Sequence, residues 1–338
     1  MPDAPMPRPS IAIIGAGAIG SLLAGLLARA GADVTLVARG ARLEALRRDG
    51  LRFRDLGGAF TLTVPGALKV TDRLQSPVSV LFLCVKAPAL EAALSDNLAG
   101  MGPDSRVVPL VNGIPWWFFD DLGHPIHAVD PGGRLFEMVP FDQIVGSVTM
   151  MTAGFEADGT VVSTIPHKLA LGPTTPNGPR PVDLADVLTA AGIDLDRADH
   201  IRPLVWEKLA INLSTNTLSA LCGHTLEEIA ADPALCARAV AVAAETEHLA
   251  RAWGCQIAVA AGLPAAMTRA GAFRTSMLQD RLAGRPLELA PIALAPLELA
   301  EARAIAMPET TRLLAELQAE LVAGLAPPGT PPVQGAQR

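Results

Sequence analysis

The sequence has few charged residues, few cysteines and no excess of positive charge. Only 18% of its 338 residues are charged and 50% are hydrophobic, which excludes intrinsic disorder over most of the length. A net charge of −7 argues against general nucleic-acid binding, which needs a basic surface. The four cysteines form neither a CxxC pair nor a Cys/His cluster, so we expect a reduced, cytoplasmic protein without disulfides or a metal site. A chain of 338 residues is expected to form about two domains.

An uncharged run over residues 11–28 has about the length of a membrane span. Gly15, Gly17 and Gly20 interrupt this run and divide it into a β-rich piece and a helical piece. Membrane and targeting segments have an unbroken apolar core, so we interpret the run as a strand, a turn and a helix. We expect no membrane partner.

Short apolar runs alternate with amphipathic segments in the first half of the chain. Such runs predict strands that are buried on both faces, and therefore a parallel sheet with helices on either side. Short antiparallel strands are predicted within residues 144–171, and almost only helices after residue 201. We therefore predict an α/β domain over residues 10–198, an all-α substrate and dimerisation domain over 199–325, and a disordered tail over 326–338. The strands predicted in the first half cover residues 11–14, 34–38, 51–54, 60–64, 78–85 and 107–111.

A glycine-rich turn links the first predicted strand to the first predicted helix. Gly15 suits a tight turn, Gly17 lets the backbone approach a pyrophosphate, and Gly20 lets the helix pack against the sheet. Ala18 and Ile19 lie where the helix N-terminus offers free N–H groups to an anion. The pattern predicts dinucleotide binding in a Rossmann-type domain, with an ordinary buried βα turn as the alternative.

The end of the second predicted strand indicates which dinucleotide binds. An NAD site places Asp or Glu there, about 20 residues after the glycines. This chain has Arg39 instead, with Arg42 close behind, whereas Asp33 precedes the strand. A guanidinium suits a 2′-phosphate, so we predict NADP, although Arg39 could also be a solvated loop charge.

Two later strands of the predicted parallel sheet also end in polar residues. Lys86 follows one and Asn112 follows the other, at the edge where such sheets bind ligands. We expect Lys86 to contact the cofactor and Asn112 to contact substrate or ribose. Trp116 and Trp117 come shortly after, and they either stack on a bulky apolar substrate, pack in the interior or form a dimer contact.

A helix in the second half carries polar residues at a spacing of four. Lys208, Asn212 and Asn216 share one stripe, while apolar neighbours such as Ile211 must pack elsewhere. Asparagine is a poor choice for a solvated helix face, so the stripe is interpreted as lining a cleft. Glu288 lies in an otherwise apolar run and needs a partner, because an isolated buried carboxylate is costly.

Together these residues resemble the ketopantoate reductase (2-dehydropantoate 2-reductase) family over roughly residues 10–322. The resemblance implies a Rossmann-type N-terminal domain plus an all-α C-terminal domain, with the active site in the cleft between them. It also implies NADPH-dependent reduction of a 2-keto acid to a 2-hydroxy acid, with ketopantoate, a metabolite of pantothenate biosynthesis, as the leading substrate. The motifs that carry it are the Gly15–Gly20 turn, Cys84-Val85-Lys86, Asn112-Gly113, the Lys208/Asn212/Asn216 helix, and the segment from Ser276 through Gly284-Arg285 to Glu288.

The resemblance also implies a role for each matching residue. Lys208 matches the catalytic lysine, which would protonate the ketone oxygen as hydride transfer builds negative charge there. Glu288 matches the carboxylate that binds the substrate hydroxyl. The other substrate-binding positions are Asn112, Asn212, Asn216 and Ser276, and the cofactor-binding positions are Gly15, Gly17, Ala18, Ile19, Gly20, Arg39, Lys86 and Asn112.

The segment after Glu288 departs from the family. Where the family continues with an Asp and then an Asn-Gly, this chain has Ala290 and Ala293-Leu294, with Pro291 and Pro296 nearby. Two alternatives therefore stay open: an opine-type or other hydroxy-acid dehydrogenase of the same architecture, and a non-catalytic NADP-binding sensor. A small-molecule keto acid is the expected partner, and a homodimer is a candidate oligomeric state that the sequence does not settle.

Overall fold

The computed structural model describes residues 9–64, 66–118, 122–175, 178–180 and 182–327. The chain divides into two compact units. The first extends to Val111 and includes Trp116–Pro125 and Gly132–Arg202, and the second contains Asn112–Pro115, Ile126–Pro131 and the chain from Pro203 onward. The sequence predicts one division, between residues 198 and 199; the second unit additionally takes in two short segments from the first half.

The first unit is built on a five-stranded parallel sheet with the order β5-β2-β1-β6-β7. Strands β1 and β6 pair in parallel through Ile11 opposite Val80, and their side chains are buried. This confirms the predicted Rossmann-type sheet. The strands of the unit are β1 (Ser10–Ile14), β2 (Asp33–Val37), β3 (Leu51–Asp55), β4 (Gly58–Leu62), β5 (Lys69–Thr71), β6 (Val80–Leu83), β7 (Arg106–Pro109), β8 (Val145–Thr149), β9 (Gly154–Phe155), β10 (Val161–Val162), β11 (Lys168–Pro173) and β12 (Asp194–Arg197).

Two smaller sheets complete the strands of this unit, with the orders β4-β3-β10-β9 and β12-β11-β8. The predicted antiparallel strands are present, because β8 pairs with β11 and β9 with β10 in antiparallel orientation. The parallel pairings of β10 with β3 and of β11 with β12 were not predicted. Strands β5 and β12 were not predicted, since each is short and has charged residues. Pro109 is tolerated because it is the last residue of β7, which lies at the end of its sheet.

The helices of the first unit pack against these sheets. Helix α1 is buried along most of its length and begins directly after the glycine turn. Its leucines pack with residues of β1, β2 and β6 in the core of the unit. The helices are α1 (Ala18–Arg29), α2 (Gly40–Asp49), α3 (Leu90–Ser95), α4 (Arg134–Met138) and α5 (Val182–Ala190).

The second unit is helical, as the sequence predicts. Its long helix α6 carries the polar stripe, and a five-residue π-helical turn, Ala290–Leu294, runs directly into α11. No helix among the described residues combines the length and hydropathy that a membrane span requires. Residues 328–338 of the predicted tail lie outside the described residues. The helices are α6 (Arg202–Cys222), α7 (Leu226–Ala231), α8 (Pro233–Ala252), α9 (Leu263–Ala270), α10 (Ser276–Leu282), α11 (Ala295–Ala302) and α12 (Pro308–Val322).

Candidate active site

The glycine turn of the first unit has the geometry that its sequence predicts. Gly15 has φ +112°, and a Cβ there would lie 2.8 Å from the Cys84 carbonyl oxygen. A Cβ at Gly20 would lie 2.0 Å from the Gly15 carbonyl oxygen. Both positions therefore require glycine, and the chain turns sharply from β1 into α1.

Gly17 is different, because it faces open space. It is exposed, has φ −66°, and no atom lies within 4 Å of the place where its Cβ would be. It immediately precedes Ala18 and Ile19 at the start of α1, whose first turn contains no acidic residue. The turn thus leaves an uncrowded backbone beside a helix N-terminus, which fits the pyrophosphate of a dinucleotide.

Arginines surround the end of β2. Arg39 is exposed, and its Nη2 lies 2.5 Å from Asp96 Oδ2. Arg42 donates from Nη2 to Ser21 Oγ at 3.2 Å, and Ser21 Oγ donates to the Ala16 carbonyl at 3.1 Å. Partial burial lowers the pKa of Arg42 from its ordinary value. Arg42 is thus connected through Ser21 to the residue between Gly15 and Gly17, and Arg39 lies just after β2; guanidinium groups at these places suit a 2′-phosphate.

Asp96 is a residue that the sequence reasoning missed. Its carboxylate contacts Arg39, and it also lies 3.8 Å from Arg73. The contact joins residues 57 positions apart, so no local pattern could have indicated it. Lys86 is exposed and immediately precedes a short 3₁₀ turn, Ala87–Ala89.

In the second unit, Lys208, Asn112 and Glu288 form one hydrogen-bonded network. Lys208 Nζ donates to Asn112 Oδ1 at 3.0 Å, and Asn112 Nδ2 donates to Glu288 Oε2 at 3.4 Å. As whole residues all three are half-buried, whereas the ammonium group at the end of the Lys208 side chain is buried. The structure thus brings together three of the predicted residues from segments 96 and 176 positions apart.

Burial and charge act in opposite directions on Lys208. Burial lowers the pKa of its ammonium from 10.5 to about 8, and the negative charge of Glu288 opposes part of that change. The result is a lysine that is still mostly protonated at neutral pH but can give up its proton readily. Such a group is suited to general acid catalysis, because its pKa lies near the working pH.

The other predicted substrate residues have different environments. Asn212 is half-buried on α6, and Asn216 is buried, with its Oδ1 accepting from Thr215 Oγ1 at 3.4 Å. Ser276 is exposed as the first residue of α10. The expectation that Ile211 packs in the interior is wrong, since 39% of its surface is exposed.

A turn after α10 directs the chain toward Glu288. Gly284 has φ +63°, and the Arg285 N–H donates to the Asp280 carbonyl at 2.8 Å. Arg285 Nε also donates to Asp280 Oδ1 at 2.8 Å. These contacts close the helix end in the left-handed conformation that glycine favours, and Glu288 lies just before the next helical segment.

The residues that follow Asn112 contact the helical segment that follows Glu288. Gly113 has φ +77°, and a Cβ there would lie 2.2 Å from the Pro291 carbonyl oxygen. The Ile114 N–H donates to that same oxygen at 2.8 Å. The sequence reasoning noted Pro291 only as a departure from the family and missed this contact.

Trp116 and Trp117 are both only 1% exposed. Trp117 packs near Ile201 and Gly146, where an added Cβ would lie 3.0 Å from the indole ring. Of the three alternatives, this burial supports interior packing.

Comparisons with known proteins identify the family of this chain. The family model described as ketopantoate reductase PanE/ApbA matches residues 11–176, and the model of the C-terminal region of the same family matches residues 200–320. A 2-dehydropantoate 2-reductase from Mesorhizobium japonicum is 36% identical over 299 residues, which cover 86% of this chain and 90% of the relative.

Solved structures show the same fold. A protein from Ralstonia solanacearum MolK2, provisionally identified as a ketopantoate reductase, is 32% identical with a TM-score of 0.86, covering 94% of this chain and 100% of that one. A 2-dehydropantoate 2-reductase from Geobacter metallireducens GS-15 is 26% identical with a TM-score of 0.81, covering 92% and 99%. The chain therefore belongs to the ketopantoate reductase family and is an NAD(P)-dependent oxidoreductase.

Proposed function

We propose that this chain reduces a 2-keto acid to the 2-hydroxy acid with NADPH, and that ketopantoate, which would give pantoate, is its leading substrate. The observation that carries the proposal is the network of Lys208, Asn112 and Glu288, in which a buried ammonium with a pKa of about 8 has both an amide and a carboxylate as partners. The names of the relatives supply the substrate.

Lys208 is the proton donor in this proposal. NADPH, when bound, supplies the hydride that adds to the carbonyl carbon. The Lys208 ammonium polarises the ketone oxygen, gives it a proton as negative charge develops, and is reprotonated from solvent. Its lowered pKa makes this proton transfer easier than from an ordinary lysine.

The remaining polar residues of the second unit orient the substrate. Glu288 accepts a hydrogen bond from a substrate hydroxyl, and Asn112 holds Lys208 and Glu288 in register through its two amide atoms. Asn212, Asn216 and Ser276 are proposed as further substrate contacts. The family resemblance also implies that Asn112 contacts the cofactor, and this contact stays a prediction.

NADPH rather than NADH is supported by the residues of the first unit. The glycine turn at Gly15, Gly17 and Gly20, followed by Ala18 and Ile19, leaves room for the pyrophosphate. Arg39 supplies a positive charge for the 2′-phosphate where an NAD site would have a carboxylate, and Lys86 is proposed as an additional phosphate or ribose contact. A homodimer and a cytoplasmic location stay predictions.

A substrate and cofactor panel tests this function. We expect the protein to oxidise NADPH when ketopantoate is added, as measured by the change in absorbance. We also expect kcat/KM to be at least about tenfold higher with NADPH than with NADH. Turnover only when an amino acid is added would favour the opine-type alternative. Binding of NADPH without turnover of ketopantoate, pyruvate or phenylglyoxylate would contradict the reductase proposal and favour the sensor alternative.

A further inference from the structure

The helical segment after Glu288 contains two prolines five residues apart, and the second removes a hydrogen-bond donor from the helix. In the π-helical turn Ala290–Leu294, the Ala295 N–H donates to the Ala290 carbonyl, one residue further back than in an α-helix. With the same spacing of five, the donor to the Pro291 carbonyl would be the N–H of residue 296. That residue is Pro296, which has no N–H.

The Pro291 carbonyl is instead used by the segment Asn112–Pro115. The Ile114 N–H donates to it at 2.8 Å, and Ile114 is 0% exposed. Gly113 comes so close that any side chain would collide with the Pro291 backbone. The segment is thus held by a directional hydrogen bond and by a close approach that only glycine permits.

Asn112 precedes this anchored pair directly. Its amide group accepts from Lys208 Nζ at 3.0 Å and donates to Glu288 Oε2 at 3.4 Å. Because one planar amide makes both hydrogen bonds, a shift of its backbone changes both distances together. The position of Asn112 therefore depends on the anchor at Gly113 and Ile114.

We propose that Pro296 is a positioning residue for the reduction: by supplying no N–H, it leaves the Pro291 carbonyl free to hold Asn112 between Lys208 and Glu288. This inference rests on the proposed function, because it assumes that those two residues act on the keto acid. It gives a role to Pro291 and Pro296, which lie beside the positions where this chain departs from the family pattern.

Replacement by alanine reverses this effect. The proline ring crowds the carbonyl of residue 292, four positions earlier, which opens the helix at this point. In Pro296→Ala the new N–H can donate to that carbonyl, and the Ala295 N–H can return to the Pro291 carbonyl. The Ile114 N–H then competes for its acceptor, and Asn112 loses its fixed position.

Steady-state kinetics of Pro296→Ala test the proposal. We expect kcat/KM for ketopantoate to fall about tenfold or more, mainly through kcat, since a small misplacement of reacting groups is costly. We also expect the basic limb of the pH profile to move to lower pH, because Lys208 Nζ loses an acceptor that favours its charged form. Thermal stability should be kept or raised, because alanine is the better helix former.

The matched control is Pro308→Ala, at an exposed proline that begins helix α12. Its kinetics and pH profile should equal those of the wild type. An unchanged kcat/KM and pH profile in Pro296→Ala would overturn the proposal. An equal loss in Pro308→Ala would do so as well, since it would indicate a general effect of proline removal.

Amide hydrogen exchange provides a measurement that does not depend on turnover. The Ile114 amide should be protected in the wild type and should exchange faster in Pro296→Ala and in Gly113→Ala. An Ile114 amide that is unprotected in the wild type, or equally protected in Pro296→Ala, would show that the anchor does not act as proposed. If the wild type does not reduce ketopantoate at all, the proposed function fails, and the exchange experiment still decides the anchoring step.

Discussion

Glu288→Gln separates the electrostatic role of the carboxylate from the rest of the site. In the wild type, burial lowers the pKa of Lys208 from 10.5 to about 8, and the charge of Glu288 raises it against that effect. A drop from 10.5 to about 8 corresponds to roughly 3 kcal/mol between the two protonation states. Removing the carboxylate charge leaves burial unopposed, so the pKa of Lys208 should fall further.

The sign and size of the effect follow from Lys208 acting as an acid. The group is active when protonated, so kcat/KM should be constant at low pH and decrease as pH rises through about 8 in the wild type. Each unit by which this pKa falls in Glu288→Gln lowers the protonated fraction of Lys208 about tenfold at pH values well above 8, but far less at pH values well below it. The variant should therefore lose most activity at alkaline pH.

The assay is NADPH oxidation with ketopantoate, measured as kcat/KM from about pH 6 to pH 10. Loss of a substrate contact would lower the whole curve, whereas the electrostatic effect moves its basic limb. Glu301→Gln, at an exposed carboxylate on helix α11, is the matched control and should leave the limb in place. A limb that stays at the same pH in Glu288→Gln, or moves to higher pH, would show that the charge of Glu288 does not raise the pKa of Lys208.

Three further predictions concern the cofactor. Gly17→Ala adds a methyl group where no protein atom lies within 4 Å, so the protein should fold normally but bind NADPH at least about tenfold more weakly in a fluorescence titration. Gly262→Ala, at an equally uncrowded glycine, is the control and should leave NADPH binding unchanged. Unchanged binding in Gly17→Ala would exclude a pyrophosphate at this turn. Arg39→Ala should reduce the preference for NADPH over NADH. Asp96→Asn removes an exposed ion-pair partner of Arg39, and it should therefore strengthen NADPH binding by up to about fivefold. Weaker binding in Asp96→Asn would mean that the carboxylate supports the site instead of competing for it.

Local patterns predicted much of this architecture because the relevant signals are short. The glycine turn, the strand before it and the helix after it lie within 20 residues, and each glycine has a separate steric reason. The stripe of Lys208, Asn212 and Asn216 follows from helical periodicity alone. Strand β5, by contrast, has only three residues and one charge, and it forms because β2 offers it an edge.

The candidate site was predicted residue by residue, but its internal contacts were not. Nothing in the sequence indicates that the Asn112 amide bridges Lys208 and Glu288, because that contact depends on chain segments far apart. The same holds for Asp96 beside Arg39. The spacing of Pro291 and Pro296 was visible, yet its meaning depends on a hydrogen bond from Ile114 that only the folded chain reveals.

The most direct test of the central claim compares the wild type with Lys208→Ala in NADPH oxidation with ketopantoate, with NADPH affinity measured on the same samples. We expect turnover to fall by a factor of about 10² or more while NADPH still binds, because the buried ammonium that protonates the ketone oxygen is gone. Turnover in Lys208→Ala within a few-fold of the wild type would contradict the assignment of Lys208 as the general acid.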